Sequence, residues 1–225
     1  MLFPVRRMLL TAAAMALLVS APAIPASALP QRAQTIHLHQ AVALLRDAHE
    51  GSRAGYSRDR FQHWIDANHN GCDTRKEVLI EEAVQKPEIG SRCRLAGGAW
   101  YSYYDDATVT DTSRLDIDHM VPLAEAWDSG ASAWTDERRK RYANDLDEPV
   151  ALVAVTDATN QSKADRDPAE WLPPHQGAHC RYLGEWLTVK LRWDLAADLA
   201  EQHTITDLAA DCPDVELTFT RVDDV

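Results

Sequence analysis

The segment "RLDIDHMVPLAEAW", residues 114–127, places a carboxylate and an imidazole side by side, at Asp118 and His119. A histidine with a pKa of about 6.5 is largely neutral at pH 7 and can take a proton from water. The Asp118 carboxylate and the carboxamide of Asn160, further along the chain, are oxygen ligands of the kind that Mg²⁺ prefers. We therefore expect His119 to be a general base, with Asp118 and Asn160 as ligands of one Mg²⁺ or Mn²⁺ ion.

Each of these residues also has a structural interpretation. His119 could be a core histidine that is hydrogen-bonded to Asp116 or Asp118. Asn160 could cap the start of a helix. Successive side chains of a strand point to opposite faces, so Asp116 shares a face with Asp118, as a supporting residue, while His119 faces the other way. The two neighbours can act on one group only where the strand ends, and Pro122 predicts that it ends here.

Hydrophobic periodicity and turn signals indicate the elements that would position these residues. Two strand-like runs flank two helical segments, and a helix bearing Asn160 follows the second run. In chain order they are a strand at 114–122, helices at 123–130 and 135–146, a strand at 150–155 and a helix at 156–165. This order allows the two strands to pair, with the last helix packed across them. Elsewhere we expect helices at 36–50, 77–84 and 178–202, the last with Trp186 and Trp193 in the core.

The pattern "DIDHMVPL", "YANDL" and "ATNQSKAD" resembles the HNH endonuclease family, whose ββα-metal unit has a histidine-bearing strand, a central asparagine and a metal ligand on the following helix. It resembles secreted bacterial members most, and is similar to the HNH domain of CRISPR effector nucleases and to the C-terminal part of GmrSD-type restriction enzymes. The match covers residues 114–171, and "GCDTRKEVL" with the four cysteines extends it more weakly over most of the chain. The resemblance implies an α+β fold with a ββα-metal core at about 100–171, surrounded by helices.

The resemblance also implies hydrolysis of a phosphodiester with a 5′-phosphate product, and gives His119, Asp118 and Asn160 the same roles. Asn144 matches the central asparagine, which orients the histidine or its loop; it could also be a helix C-cap. Lys163, one turn after Asn160, could contact a phosphate or be a solvated surface lysine. The family often has histidine at the position of Asn160, and a carboxamide there favours Mg²⁺ or Mn²⁺ over zinc.

The chain is acidic, with a formal net charge of −12 at pH 7. This charge argues against broad electrostatic binding of nucleic acid, which usually needs a basic face, but it permits a local or metal-bridged site. The dense basic run at 138–141 could guide phosphates or be a solvated helix face. Glu125 could likewise join the metal shell or lie on a solvated helix face.

The first residues predict export. A basic pair precedes the apolar run 8–19, which is too short to span a bilayer, and "ASA" at 26–28 is a small-residue cleavage site. We expect a signal peptide at 1–28 and a single domain at 29–225, outside the cell and free of the membrane.

Four cysteines lie in that domain: Cys72, Cys93, Cys180 and Cys212. An even number in an exported protein suggests two disulfides. Of the three pairings we favour Cys72–Cys93 with Cys180–Cys212, because each closes a short local loop. A zinc site built from all four is the alternative, and the lack of a C-x-x-C spacing disfavours it.

The segment "DANHNGCDTRKE", residues 66–77, fits the calcium-loop template D-x-[DN]-x-[DN]-G-x5-E. The ligands would be the side chains of Asp66, Asn68, Asn70 and Glu77, with the backbone carbonyl of Cys72. The alternative is an Asx-rich turn that caps the following helix. A Ca²⁺ ion here would be structural.

We therefore expect a secreted, metal-dependent endonuclease that acts as a monomer. Its substrate would be DNA, with RNA as an alternative, cleaved with little sequence specificity. The main alternative is a secreted calcium-binding or cell-wall-associated module with a degenerate nuclease core. A toxin domain paired with an immunity protein ranks behind both.

Overall fold

The computed structural model describes residues 32–223, which alternate between short helices and short strands. The helices are α1 (Leu38–Leu44), α2 (Thr74–Glu82), α3 (Leu123–Asp128), α4 (Asp136–Ala143), α5 (Asp157–Lys163), α6 (His179–Trp193) and α7 (Leu199–Ala210). The strands are β1 (Gln34–His37), β2 (Arg46–Asp47), β3 (Glu88–Ile89), β4 (Leu95–Ala96), β5 (Trp100–Ser102), β6 (Ala107–Val109), β7 (Leu115–His119), β8 (Leu152–Thr156), β9 (Ala196–Ala197) and β10 (Glu216–Phe219). Over this range, no helix is both long enough and apolar enough to cross a membrane. The predicted signal peptide lies outside the described residues.

Strands β7 and β8 pair antiparallel, in a register that joins Leu115 to Thr156 and His119 to Leu152. The sequence of β8, LVAVT, is rich in β-branched residues and is buried throughout, as expected for a strand covered on both faces. Helix α5 follows β8 directly and packs on both strands, while α2 packs against β8 and β7. The predicted order of strand, two helices, strand and helix is confirmed, and the fold class is α+β.

The first and last strands of the described chain lie beside α6. Strand β1 pairs antiparallel with β10, and β2 pairs parallel with β9. Helix α6 packs against α1, α7 and β10, and it buries Trp186 (0% exposed) and Trp193 (1%). The prediction that both tryptophans are core residues is confirmed.

The predicted single helix over 178–202 is wrong, because the chain there forms α6 and α7 with a break between them. Asp194, immediately after α6, has a left-handed backbone (φ 54°, ψ 41°), which ends a helix in the way that glycine or asparagine commonly does. Asp198 then starts α7 as its N-cap, and its carboxylate accepts hydrogen bonds from the backbone N–H groups of Ala200 and Glu201. The residues between the two helices form β9.

The predicted helix at 36–50 is shorter than expected. Its amphipathic centre is present as α1, which buries Leu38 and Ala41. Both of its ends are strands instead, β1 before it and β2 after it. Because β10 and β9 lie alongside these ends, backbone pairing with distant strands replaces the helical hydrogen bonds.

Both disulfides have the pairing that short loops favour. Cys72–Cys93 links the segment before α2 to a 3₁₀ turn, and Cys180–Cys212 links the first turn of α6 to the end of α7. No cysteine among residues 32–223 is free. A zinc site built from the four cysteines is therefore wrong.

Candidate active site

His119 is the last residue of β7 and is 6% exposed. Its Nε2 lies 3.0 Å from the carbonyl oxygen of Ala143, the last residue of α4. Because a carbonyl oxygen only accepts hydrogen bonds, Nε2 carries the proton of the neutral ring, and Nδ1 carries the free lone pair. Within the described range, Nδ1 has no hydrogen-bond partner, and the bond to Asp116 or Asp118 of the core-histidine alternative is not formed. The ring is therefore held in a tautomer whose basic nitrogen is unengaged.

Aromatic rings enclose His119. The ring of Trp64 stacks on it, with centroids 5.5 Å apart and planes at 29°, and Tyr142 lies 6.4 Å away at 17°. His63 approaches at 6.5 Å, nearly perpendicular. Burial disfavours the charged imidazolium and lowers the pKa of His119 to about 3. The ring is consequently neutral at physiological pH, which is the state that a general base requires.

Asn144, the C-cap of α4, uses all of its side-chain hydrogen-bonding capacity. Its Nδ2 donates to the carbonyl oxygens of Gln62 (2.7 Å) and Lys140 (2.8 Å). Its Oδ1 accepts from the N–H of Ile65 (3.1 Å) and the hydroxyl of Thr74 (2.7 Å). The Asn144 carboxamide thus links the end of α4 to the residues on both sides of the His63–Trp64 pair. The carbonyl of the preceding residue, Ala143, accepts the hydrogen bond from His119. The C-cap interpretation is confirmed, and this placement is compatible with the orienting role.

Asp118, on the opposite face of β7, is 4% exposed. Its Oδ2 accepts hydrogen bonds from the ammonium of Lys163 and from the hydroxyl of Tyr104 (2.6 Å). Burial raises the pKa of Asp118, and the charge of Lys163 acts against that rise. Both hydrogen bonds reach Oδ2, so in the part of the chain that the structure describes, Oδ1 keeps its lone pairs.

Lys163 is 0% exposed, so the prediction that it contacts a phosphate is wrong, and so is the solvated-surface alternative. Its ammonium donates to Asp118 and to the backbone carbonyls of His119 (3.1 Å) and Met120 (2.8 Å). Three donors meet three acceptors, which satisfies the buried charge. Lys163 therefore fixes the end of β7 and orients the Asp118 carboxylate.

Asn160 lies inside α5, whose N-cap is Thr156, so the capping alternative is wrong. Its Nδ2 donates to Oδ2 of Asp116 at 3.3 Å. The helix crosses the strand so that Asn160 meets Asp116 while Lys163, three residues on, meets Asp118. The two predicted metal ligands thus lie along one helix–strand interface, with Asp116 in direct contact with Asn160.

The donor set of this interface fits an oxygen-ligated cation. Asp116 and Asp118 share a face of β7, and the carbonyl oxygen of the Asn160 carboxamide accepts no hydrogen bond from residues 32–223. No group of three or more histidine, cysteine and acidic residues that could hold a metal is found in that same range. Carboxylate and carboxamide oxygens are the protein ligands that Mg²⁺ takes, usually together with several waters.

Two further expectations are wrong. Glu125 is buried rather than solvated: its Oε1 accepts from Lys190 (2.9 Å) and Ser129 (2.6 Å), and within residues 32–223 it makes no hydrogen bond to Asp118 or Asn160. In the basic run, Arg138 and Arg139 are buried (6% and 4% exposed) and donate to backbone carbonyl groups. The solvated-face interpretation is therefore wrong for Arg138 and Arg139, whereas Lys140, which pairs with Glu137, and Arg141 lie at the surface.

The contacts of His63 and Trp64 with His119, and of Tyr104 with Asp118, are not predictable from the sequence. Trp64 has a left-handed backbone (φ 58°), which is uncommon for a residue other than glycine, and Asn144 holds it there. The aromatic run "FQHW" signals burial, but nothing in its spacing connects it to His119, far along the chain.

The polar side chains of the 66–77 loop are hydrogen-bonded to one another and to the loop backbone. The Asp66 carboxylate accepts from the N–H groups of Asn70 (3.1 Å) and Gly71 (3.0 Å). The amides of Asn68 and Asn70 both donate to Oε1 of Glu77 (3.2 and 2.8 Å). Gly71 has φ of 93°, the turn for which the template reserves glycine. The N-cap of α2 is Asp73, which also matches the capping alternative.

Comparison with known proteins agrees with these observations. The model of the family "GmrSD restriction endonucleases, C-terminal domain" matches residues 74–208, a span that includes Asp118, His119, Asn144 and Asn160. A protein from Arthroderma benhamiae, described as an uncharacterized secreted protein, is 44% identical over 163 residues, which cover 72% of this chain and 78% of the relative. No solved structure matches.

The secreted relative and the two disulfides both indicate an extracellular protein, as the leader predicts. The family match covers more than half of the chain and contains the candidate site. The chain therefore belongs to the family of GmrSD restriction endonuclease C-terminal domains, which indicates a nuclease-related function.

Proposed function

We propose that this protein is a secreted, metal-dependent endonuclease of the HNH type that hydrolyses phosphodiester bonds of DNA, with RNA as an alternative substrate. The observation that carries the proposal is the state of His119. Its Nε2 proton is engaged by the Ala143 carbonyl at 3.0 Å, and its Nδ1 is left as a neutral base. A base that must deprotonate water needs this combination of fixed orientation and free lone pair.

In this mechanism His119 accepts a proton from the attacking water at Nδ1. The Ala143 carbonyl, which accepts a hydrogen bond from Nε2–H, stabilises the imidazolium as it forms. Asp118 and Asn160, with Asp116 beside Asn160, would hold one Mg²⁺ or Mn²⁺ ion. That ion, when bound, would stabilise negative charge on the phosphoryl group and on the 3′-oxygen leaving group, so that the product carries a 5′-phosphate.

Lys163 and Tyr104 have a supporting role in this proposal. Both hold Oδ2 of Asp118, so the carboxylate presents Oδ1 in a fixed direction. Such outer partners orient metal ligands and keep them deprotonated. The acidic chain, with its net charge of −12, further suggests contact with only a short stretch of substrate. In this proposal the protein acts as a monomer with little sequence specificity and no membrane partner.

The proposal is tested by cleavage of supercoiled plasmid and of single-stranded RNA. We expect the mature, disulfide-bonded protein to cut in Mg²⁺ or Mn²⁺, to stop in EDTA and to recover when metal is restored. The His119→Ala protein, purified in parallel, controls for a contaminating nuclease. A folded wild-type protein that cuts neither polymer with any of these ions would contradict the proposal.

A second candidate function, structural calcium binding, is favoured by the convergence of Asp66, Asn68, Asn70 and Glu77 in one loop. The Cys72 carbonyl would be a further ligand, and its sulfur remains in the disulfide. An ion there would stabilise the segment that leads into α2.

We expect 10 mM Ca²⁺ to raise the free energy of unfolding by about 1–2 kcal/mol, given a Kd near 1 mM. Glu77→Gln should remove this gain, and Glu81→Gln, at an exposed position of the same helix, should keep it. Urea unfolding with and without Ca²⁺ measures the difference, with Mg²⁺ as the comparison ion. An unchanged unfolding midpoint in Ca²⁺ would exclude the site.

A further inference from the structure

The surroundings of His119 are locally cationic in an otherwise acidic chain. Two cationic side chains, Arg58 and Lys163, act on the imidazole and lower its pKa. Lys163 is enclosed in the core, so it cannot meet a ligand. Arg58 is exposed and His63 is half-buried. The accessible positive charge near His119 is therefore that of Arg58, and His63 lies in the same loop.

Arg58 lies in the 3₁₀ turn Arg58–Arg60, which Ser57 caps through a side-chain hydrogen bond to the N–H of Asp59. Its Nε donates to Nε2 of His63 at 3.4 Å. Across residues 32–223 its guanidinium joins no ion pair, whereas Arg53 is paired with two aspartates. The terminal nitrogens of Arg58 are thus available to an anion.

His63 is fixed on both of its nitrogens. Nδ1 lies 2.7 Å from the carbonyl of Phe61, so Nδ1 carries the proton and Nε2 accepts from Arg58. The ring meets the edge of Trp64 at 5.3 Å and lies 6.5 Å from the ring of His119. Asn144 anchors the loop on both sides of His63 and Trp64. The Arg58–His63 pair is therefore held at a set position relative to the base.

We propose that Arg58 binds the phosphodiester of the nucleic-acid substrate next to His119, and that His63 is a positioning residue that aims the Arg58 guanidinium. This inference rests on the proposed nuclease function. A guanidinium presents several donors in a plane that matches phosphate oxygens, and it stays charged at every working pH. Because the Arg58 guanidinium lies near the neutral imidazole of His119, a phosphate bound to it would lie close to the water that His119 deprotonates.

The first test compares Arg58→Ala, Arg58→Lys and the matched control Arg60→Ala. Arg60 lies in the same turn and is exposed, but it covers the ring of Trp127 (5.6 Å) instead of facing His63. We expect Arg58→Ala to raise KM for a short duplex about tenfold or more, Arg58→Lys to raise it less, and Arg60→Ala to leave it near the wild-type value. Fluorescence anisotropy of the same duplex in the His119→Ala background should show a matching rise in Kd for Arg58→Ala.

The second test is a double-mutant cycle of Arg58→Ala and His63→Ala. If His63 acts through Arg58, His63→Ala weakens binding in the wild-type background and has little effect once Arg58 is gone. Equal effects of His63→Ala in both backgrounds would overturn the positioning role. If wild type cleaves while Arg58→Ala behaves like Arg60→Ala, only this inference fails; a folded wild type that neither binds nor cleaves overturns it together with the proposed function.

Discussion

The His119→Gln protein is expected to fold and to lose about 10²- to 10⁴-fold in kcat, the usual contribution of a positioned general base. His119 contributes one hydrogen bond to the structure, from Nε2 to the Ala143 carbonyl, and one basic nitrogen to the chemistry. A glutamine can supply an N–H to that carbonyl, but it has no basic nitrogen. The His119→Gln substitution therefore separates the structural role of the Nε2 hydrogen bond from the catalytic role of the basic Nδ1.

Three variants measured together make this prediction decisive. His119→Ala leaves the Ala143 carbonyl without its partner, so some loss of stability is expected beside the loss of rate. His203→Ala, at an exposed position of α7, should match wild type in both respects. Initial rates of plasmid nicking and urea unfolding curves give the two quantities. A His119→Gln protein that retains a tenth or more of the wild-type kcat would exclude His119 as the base.

Replacement of Lys163 by methionine is expected to lower the free energy of unfolding by about 3–5 kcal/mol. The substitution keeps most of the side-chain volume but leaves the buried Asp118 carboxylate without its cation, and removal of one partner from a buried ion pair typically has this cost. The backbone carbonyls of His119 and Met120 also lose a donor. The protein should remain folded in the cold and unfold at a much lower urea concentration.

The matched control is Lys76→Met, because Lys76 pairs with Asp73 at 3.1 Å on the surface of α2. A half-exposed pair of this kind contributes less than about 1 kcal/mol. Adding Asp118→Asn to Lys163→Met should recover part of the loss, since the unpaired charge is then removed. Equal urea midpoints for Lys163→Met and Lys76→Met would show that the buried pair is not structurally important.

Local patterns were sufficient for the elements that carry the candidate site. Alternation and Pro122 predict the end of β7, the apolar run at 150–155 predicts β8, and the helical pattern at 135–146 predicts α4. These signals work because each depends on neighbours within a few residues. Disulfide pairing was predictable for the same reason, since both loops are short.

The burial and the contacts of several site residues depend on partners distant in the sequence, which local patterns do not reveal. The sequence suggests a surface position for Lys163, as a phosphate contact or a solvated side chain. Nothing near it in the sequence indicates its ion pair with Asp118. In the sequence, Arg138 and Arg139 resemble a solvated basic run. In the structure they are buried, and the carbonyl groups that accept their hydrogen bonds belong partly to distant segments. Asp194 ends α6 in a left-handed backbone conformation, which aspartate can adopt but which its presence in a sequence does not predict. The His63–Trp64 pair contacts His119 because Asn144, distant in sequence, anchors the loop that carries the pair.

The pairing of β1 with β10, and of β2 with β9, also governs the order in which the molecule can be assembled. Residues 34–47 are synthesised early, but their strands find partners only when residues 196–219 have emerged. Contacts between residues so far apart in sequence form slowly. A chain that depends on them cannot complete its fold until its last segment has been synthesised. Because an exported polypeptide crosses the membrane before it folds, late closure would suit a secreted protein. The Cys180–Cys212 bond, formed outside, then locks α6 and α7 together.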